Sequence, residues 1–257
     1  MKTINENNEL DFAADSSPQA WEHYKKYWSG NFDKYNLDNP CFFNYVSSKK
    51  QYGNKPKKKN NCLYALLKNS NDYKPQLRLG GETDFNFSDK RAEHFKTLIC
   101  LEDNNKQENL KLLKRCQKMH NDYFNFSLMQ TMGNMQGFKG RWCEDRLDRF
   151  LYFLNQYYEL SIEDRQKNAD AIAEKSVIIL FATKPNRKYL VEYLNEFSNI
   201  YDYCKKVYLI GDEDFVDELI VNGSKPINTG SDVRAYMDIA IRFWEKKERY
   251  FKNNSTY

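Results

Sequence analysis

Two side chains able to act on a phosphodiester stand five positions apart in RCQKMH: Arg115 and His120. Histidine can shuttle a proton near neutral pH, and arginine can stabilise charge that develops on a phosphate. Such a pair needs no metal. A second set of residues has the chemistry to hold an anion. Asn134, Gln136, Lys139 and Arg141 offer donors along NMQGFKGR, and Gly133, Gly137 and Gly140 free nearby backbone amides. Asp145 follows where the next helix should begin. Lys57 and Lys58 lie in SKKQYGNKPKKKNN, a run of six lysines with no acidic residue, which could neutralise phosphates. The expected site is therefore catalytic Arg115 and His120, with Lys57, Lys58, Asn134, Lys139, Arg141 and Asp145 binding phosphate or another ligand. Each group also has a plainer reading. His120 would pack or cap a helix end, and the lysines would be a solvated loop.

Other chemistries lack their residues. No Walker A, GxGxxG, HExxH or GxSxG signature occurs. Carboxylates are plentiful at Glu82, Asp84, Glu144, Asp145 and Asp148, but they form no clean D-x(n)-E-x-K nuclease pattern. Neither a metal nor a cofactor is expected. The six cysteines, at 41, 62, 100, 116, 143 and 204, include no CxxC pair and read as buried, reduced thiols. The opening MKTINENNELDFAADSS has no apolar signal region, and no apolar run approaches the roughly 20 residues that cross a bilayer. A cytoplasmic protein away from membranes is the expectation. Over 257 residues, 40% hydrophobic and 16% aromatic side chains are ample for a core. The net charge of +4 is too small to mark a nucleic-acid binder by itself.

The elements that must position these residues are mostly helical. PQAWEHYKKYW (18–28) predicts a helix with Trp21, Tyr24 and Trp28 on one face. Residues 29–61 read as loop, CLYALLKN (62–69) as strand or helix, and QLRL (76–79) as a strand stopped by Gly80-Gly81, a turn signal. A helix should start near Ser88 or Asp89, and a long one should span about 105–126. Residues 127–143 should be irregular, because glycine costs about 1 kcal/mol against alanine inside a helix. Met119, Met129, Met132 and Met135 bracket that stretch, either filling the core or forming a Met- and Tyr-rich surface for a protein partner. The clearest helix is 145–158, with Leu147, Phe150, Leu151, Leu154, Tyr157 and Tyr158 at helical spacing. Ser161 should cap the next one. SVIILFA (176–182) is ambiguous, KVYLIGD reads as a strand, and 176–220 has a minority reading as a strand-helix-strand-helix unit. Ser231 or Asp232 should cap a final helix of about 20 residues. The fold class expected is mainly α, a helical bundle-like core with a minor β component; α+β is the alternative. Residues 1–17 read as a polar lead-in and 18–257 as one mainly helical domain.

Two resemblances add expectations. The spacing of Arg115 and His120 is similar to the R-x(4–6)-H pattern of HEPN domains, helical-bundle ribonucleases, although Cys116 stands where that family usually has Asn, Asp or His. That resemblance implies a metal-independent ribonuclease whose site is often doubled in a homodimer. LGGETDFNFS, then MHNDYFNFSLMQTMGNMQGFKG, then DRLDRFLYFLNQYYE resembles a family of uncharacterised bacterial proteins over about 77–159. This second resemblance implies a fold more than a function. The functional expectation is an RNA- or nucleic-acid-directed protein of bacterium–phage conflict, of abortive-infection or toxin type, with a ribonuclease as its catalytic form. The alternatives are a non-catalytic protein-binding or inhibitor module and a nucleotide-responsive sensor using the glycine-rich turn.

Overall fold

A computed structural model describes residues 17–46, 59–68, 78–101, 105–130 and 135–254. Lys57, Lys58, Met132, Gly133 and Asn134 lie outside them. Twelve α-helices and four short strands occur among the described residues, a mainly α fold with a minor β part. None of these helices is long and apolar enough to cross a membrane.

The chain enters through α1 (Pro18–Trp28), with Pro18 in the first turn and the Ser17 hydroxyl accepting from the Ala20 amide. Its predicted face is buried: Trp21, Tyr24 and Trp28 join the core. Two antiparallel ribbons follow. β1 (Cys41–Val46) pairs with β2 (Lys59–Tyr64), and β3 (Leu79–Thr83) pairs with β4 (Phe126–Gln130). An Ala65–Leu79 bridge links the two. Between β3 and β4 run α2 (Asp89–Leu101) and α3 (Lys106–Met119), after which come α4 (Met135–Trp142) and α5 (Leu147–Tyr158). A string of short helices leads on: α6 (Ile162–Gln166), α7 (Ala169–Ala173), α8 (Val177–Leu180), α9 (Lys184–Leu194) and α10 (Ile200–Tyr203). α10 continues as one π-helical turn, Cys204–Tyr208, closed by Leu209 in the left-handed region. α11 (Glu213–Gly223) and the 24-residue α12 (Gly230–Asn253) finish the chain, α12 behind a Thr229/Asp232 capping box.

Several expected boundaries move, each for a packing reason. The long helix ends at Met119, because 126–130 is buried on both faces and hydrogen-bonds to β3. Gly80 and Gly81 do not stop the strand; they face Met129 and Leu128 within it. The stretch expected to be irregular contains β4 and α4. Gly137 and Gly140 sit inside α4, where burial of Met135 and Phe138 outweighs the glycine cost. SVIILFA contains α8, and KVYLIGD holds the end of the π turn followed by irregular chain outside any strand, so no strand-helix unit forms over 176–220. The cap of the last helix is Thr229, ahead of the residues predicted.

One core cluster runs from Ala20 to Phe251. At its heart the Lys247 ammonium, fully buried, donates to Asp84 Oδ2 at 2.7 Å, to Ser127 Oγ at 2.7 Å and to the Phe126 carbonyl. A second buried pair, Arg146 and Asp148, ties the start of α5 to α11 through Asn222 and the Lys225 carbonyl. α11 lies directly on the α5 backbone: a Cβ on Gly223 would sit 2.0 Å from the Asp148 carbonyl oxygen. Gly223→Ala should therefore destabilise the protein by roughly 1–3 kcal/mol, read as a lower thermal midpoint. His23 packs among the rings of Tyr27, Tyr123 and Phe251, with centroids 4.8, 5.0 and 4.7 Å away, and its Nε2 has no hydrogen-bond partner. Burial first, then the charges of Lys247 and Lys26, lower its pKa from 6.5 to about 3. The unfolded chain thus takes up a proton that the fold refuses, so stability is full above pH 6.5 and drains away as pH falls towards 3. His23→Phe should remove that contribution. The gap in thermal midpoint between the parent and this variant should shift in favour of the variant from pH 7 to pH 4.

Candidate functional site

The bend that the sequence singles out is a rigid corner. α4 ends at Trp142; Glu144 and Asp145 follow, both non-glycine residues with positive φ (58° and 56°), and α5 begins two residues after Asp145. Left-handed backbone is costly for such residues, so the surroundings must hold it. They do so through the Asp145 amide, which donates to the Lys139 carbonyl at 3.0 Å, the Arg91–Glu144 ion pair and a bridge from Arg146 to Phe85. A Cβ on Gly140 would meet Asp145 Oδ1 at 3.2 Å, so a larger residue there would require this carboxylate to shift by a few tenths of an ångström.

Of the expected site residues, the corner gathers His120, Lys139 and Asp145 within electrostatic reach of one another, with Asp89 beside them. His120 is the C-cap of α3, and its Nδ1 lies 3.3 Å from both the Phe87 amide and the Phe85 carbonyl. That carbonyl already accepts from Asn125 Nδ2 at 2.8 Å, whereas the Phe87 amide needs an acceptor. The network therefore assigns Nδ1 as acceptor and Nε2 as the protonated nitrogen. Burial holds the His120 pKa below its ordinary value, opposed by the Phe85 carbonyl, so the ring is neutral at pH 7. Arg115 does not join it. It is exposed on α3, with its guanidinium 3.6 Å from Glu245. Lys139 points inward and is fully buried, donating to the Thr83 carbonyl and lying 3.8 Å from Glu82. Its ammonium fastens α4 to β3 and does not reach a surface ligand.

Arg141 is the expected ligand residue that faces outward, and its guanidinium makes no ion pair or hydrogen bond among the described residues. With Gly137, Phe138, Trp142 and Phe181 it lines an open depression of about 260 Å³. Sequence reasoning missed Trp142. Its ring lies 4.1 Å from that of Phe181, tilted by 35°, and is 47% exposed, while Trp21, Trp28 and Trp244 are 2%, 0% and 2% exposed. Phe138 supports Phe181 from below at 5.1 Å. A tryptophan directly after an arginine, closing a glycine-rich helix, was the available signal.

Two other clusters are not sites. Asp84 and Lys247 are closed on all sides; burial raises the carboxyl and lowers the ammonium, each opposed by its partner. Met129 and Met135 are core residues, so they offer no surface to a partner, and Met119 packs against the same core. Burial pushes the Cys116 and Cys143 thiols up to about 12, far from a reactive thiolate, while Cys100 is exposed, contrary to the expectation for it. No group of three or more metal-ligating side chains occurs among the described residues.

Gly137 has no structural need to be glycine: its φ is not positive, and an added Cβ would meet nothing within 4 Å. Gly137→Ala should accordingly stabilise the protein by about 0.4–1 kcal/mol, read in chemical denaturation. Among known proteins, no family model, no curated protein and no solved structure matches this chain.

Proposed function

We propose that this protein binds nucleic acid, RNA in the first instance, through the α4 face. One observation carries the reading: Arg141, an arginine with no ion-pair partner among the described residues, stands beside a half-exposed tryptophan, Trp142, which is braced by Phe181. A guanidinium matches phosphate in charge and geometry, and a braced indole offers a flat apolar surface to a base. Lys57 and Lys58 of the basic run would add sequence-independent contacts to the phosphate backbone.

The geometry favours binding over cleavage. Arg115 is drawn towards Glu245, and one imidazole nitrogen of His120 is occupied by backbone. A ribonuclease pair would need both groups turned to one phosphate. Fluorescein-labelled RNA in EDTA at low salt tests both statements. Binding should raise its anisotropy and leave the strand intact on a gel, for the parent and His120→Ala alike. Arg141→Gln should weaken binding and lower the salt dependence by about one counterion. Unchanged anisotropy at low salt would end the proposal.

A further inference from the structure

Resting on the nucleic-acid reading above, we infer that the ligand is an unpaired nucleotide whose base stacks on Trp142 and is held without regard to base identity. Three features of the groove lead there. The first is what the ring exposes. The indole packs against Phe181 at 4.1 Å, and Trp142 is still 47% exposed, so part of the ring surface is left for a base. In a duplex the base faces are covered by neighbouring pairs, and only edges reach a protein. A stacking surface of this kind therefore has nothing to touch on paired strands, whereas single strands can splay a base onto it.

The second feature is the lining. Apart from the indole N–H, Arg141 is the one side chain with hydrogen-bonding atoms among the described residues that line the depression. Phe138, Phe181 and Gly137 supply surface and space. A site that distinguishes bases needs donors and acceptors aimed at their edges, and the described lining side chains offer only the indole N–H and a cation suited to phosphate, with no acceptor. Stacking tolerates every base because every base has a flat face.

The third is size and the glycine that maintains it. At about 260 Å³ the depression is below the usual range for a whole drug-sized ligand, which fits one ring system with its sugar left in solvent. Gly137 keeps that space open at a cost in helix stability that nothing in the fold requires. A larger side chain there would occupy the position of the base.

The test compares a single-stranded 12-mer with its duplex, and oligo-U with oligo-A, by anisotropy and by quenching of tryptophan emission. Trp142 is the one accessible tryptophan, so quenching reports on it directly. Single strands should bind at least tenfold more tightly than the duplex, oligo-U and oligo-A should differ by only a few fold, and binding should quench emission. Trp142→Ala should weaken binding about tenfold and abolish the quench, Trp142→Phe should recover most of the affinity, and Gly137→Leu should lose binding with the thermal midpoint retained. Duplex bound as tightly as single strand, or an unchanged affinity in Trp142→Ala, would overturn the inference while leaving nucleic-acid binding standing. No binding to either form would instead remove the reading beneath it.

Discussion

The structure is organised around one buried ammonium. Lys247 sits three-quarters of the way along α12, yet it is as enclosed as any aliphatic core residue, with the rings of Phe243 and Trp28 5.3 and 5.5 Å from its nitrogen. Stripping water from a charge costs several kcal/mol, and the fold recovers this only because all three N–H groups meet acceptors: Asp84, Ser127 and the Phe126 carbonyl. Asp84 directly follows β3, and Phe126 and Ser127 open β4. The last long helix thereby locates a two-stranded ribbon that would be marginal alone. Asn125 extends the same network, its side chain joining Phe85, His120 and the indole of Trp244.

From that centre the constraint passes outward to the α4–α5 corner. Thr83 at the end of β3 accepts from Lys139, which fixes the inner face of α4. Arg146 grips Asp148 in two places and the Lys225 carbonyl in a third, and Gly223 lets α11 touch the α5 backbone. With both helices anchored, Glu144 and Asp145 in the four-residue connection hold left-handed torsions that a free peptide would abandon. Arg141 and Trp142 stand at the outer end of this fixed frame. A ligand meeting them would pay little ordering entropy on the protein side, which suits a shallow site with few contacts.

The residues that look most chemical in the sequence mostly serve the fold. His120 receives a backbone amide, Lys139 ties a helix to a strand, and the Asp145 backbone closes a turn. Residue type is a poor guide here because the same donors that recognise a ligand also satisfy buried backbone, and burial decides which. Trp142 shows the reverse case: its type suggests core, like the other three tryptophans, and only its position at the outer end of α4 leaves it uncovered.

Some of this is written in local sequence. The helical spacing of α1, α5 and α12, the proline and serine at the start of α1, and the predominance of helix follow from periodicity and capping, which depend on residues within a turn or two of each other. What lies beyond that range was decided by tertiary contact. β4 is a strand because β3, more than forty positions earlier, offers hydrogen bonds to a segment buried on both faces. α4 tolerates its glycines because Met135 and Phe138 are buried, and Lys247 is internal because Asp84, 163 positions away, arrives to meet it. No local pattern encodes those partners, since the free energy of a buried charge or an extended strand depends on what the distant chain brings to it.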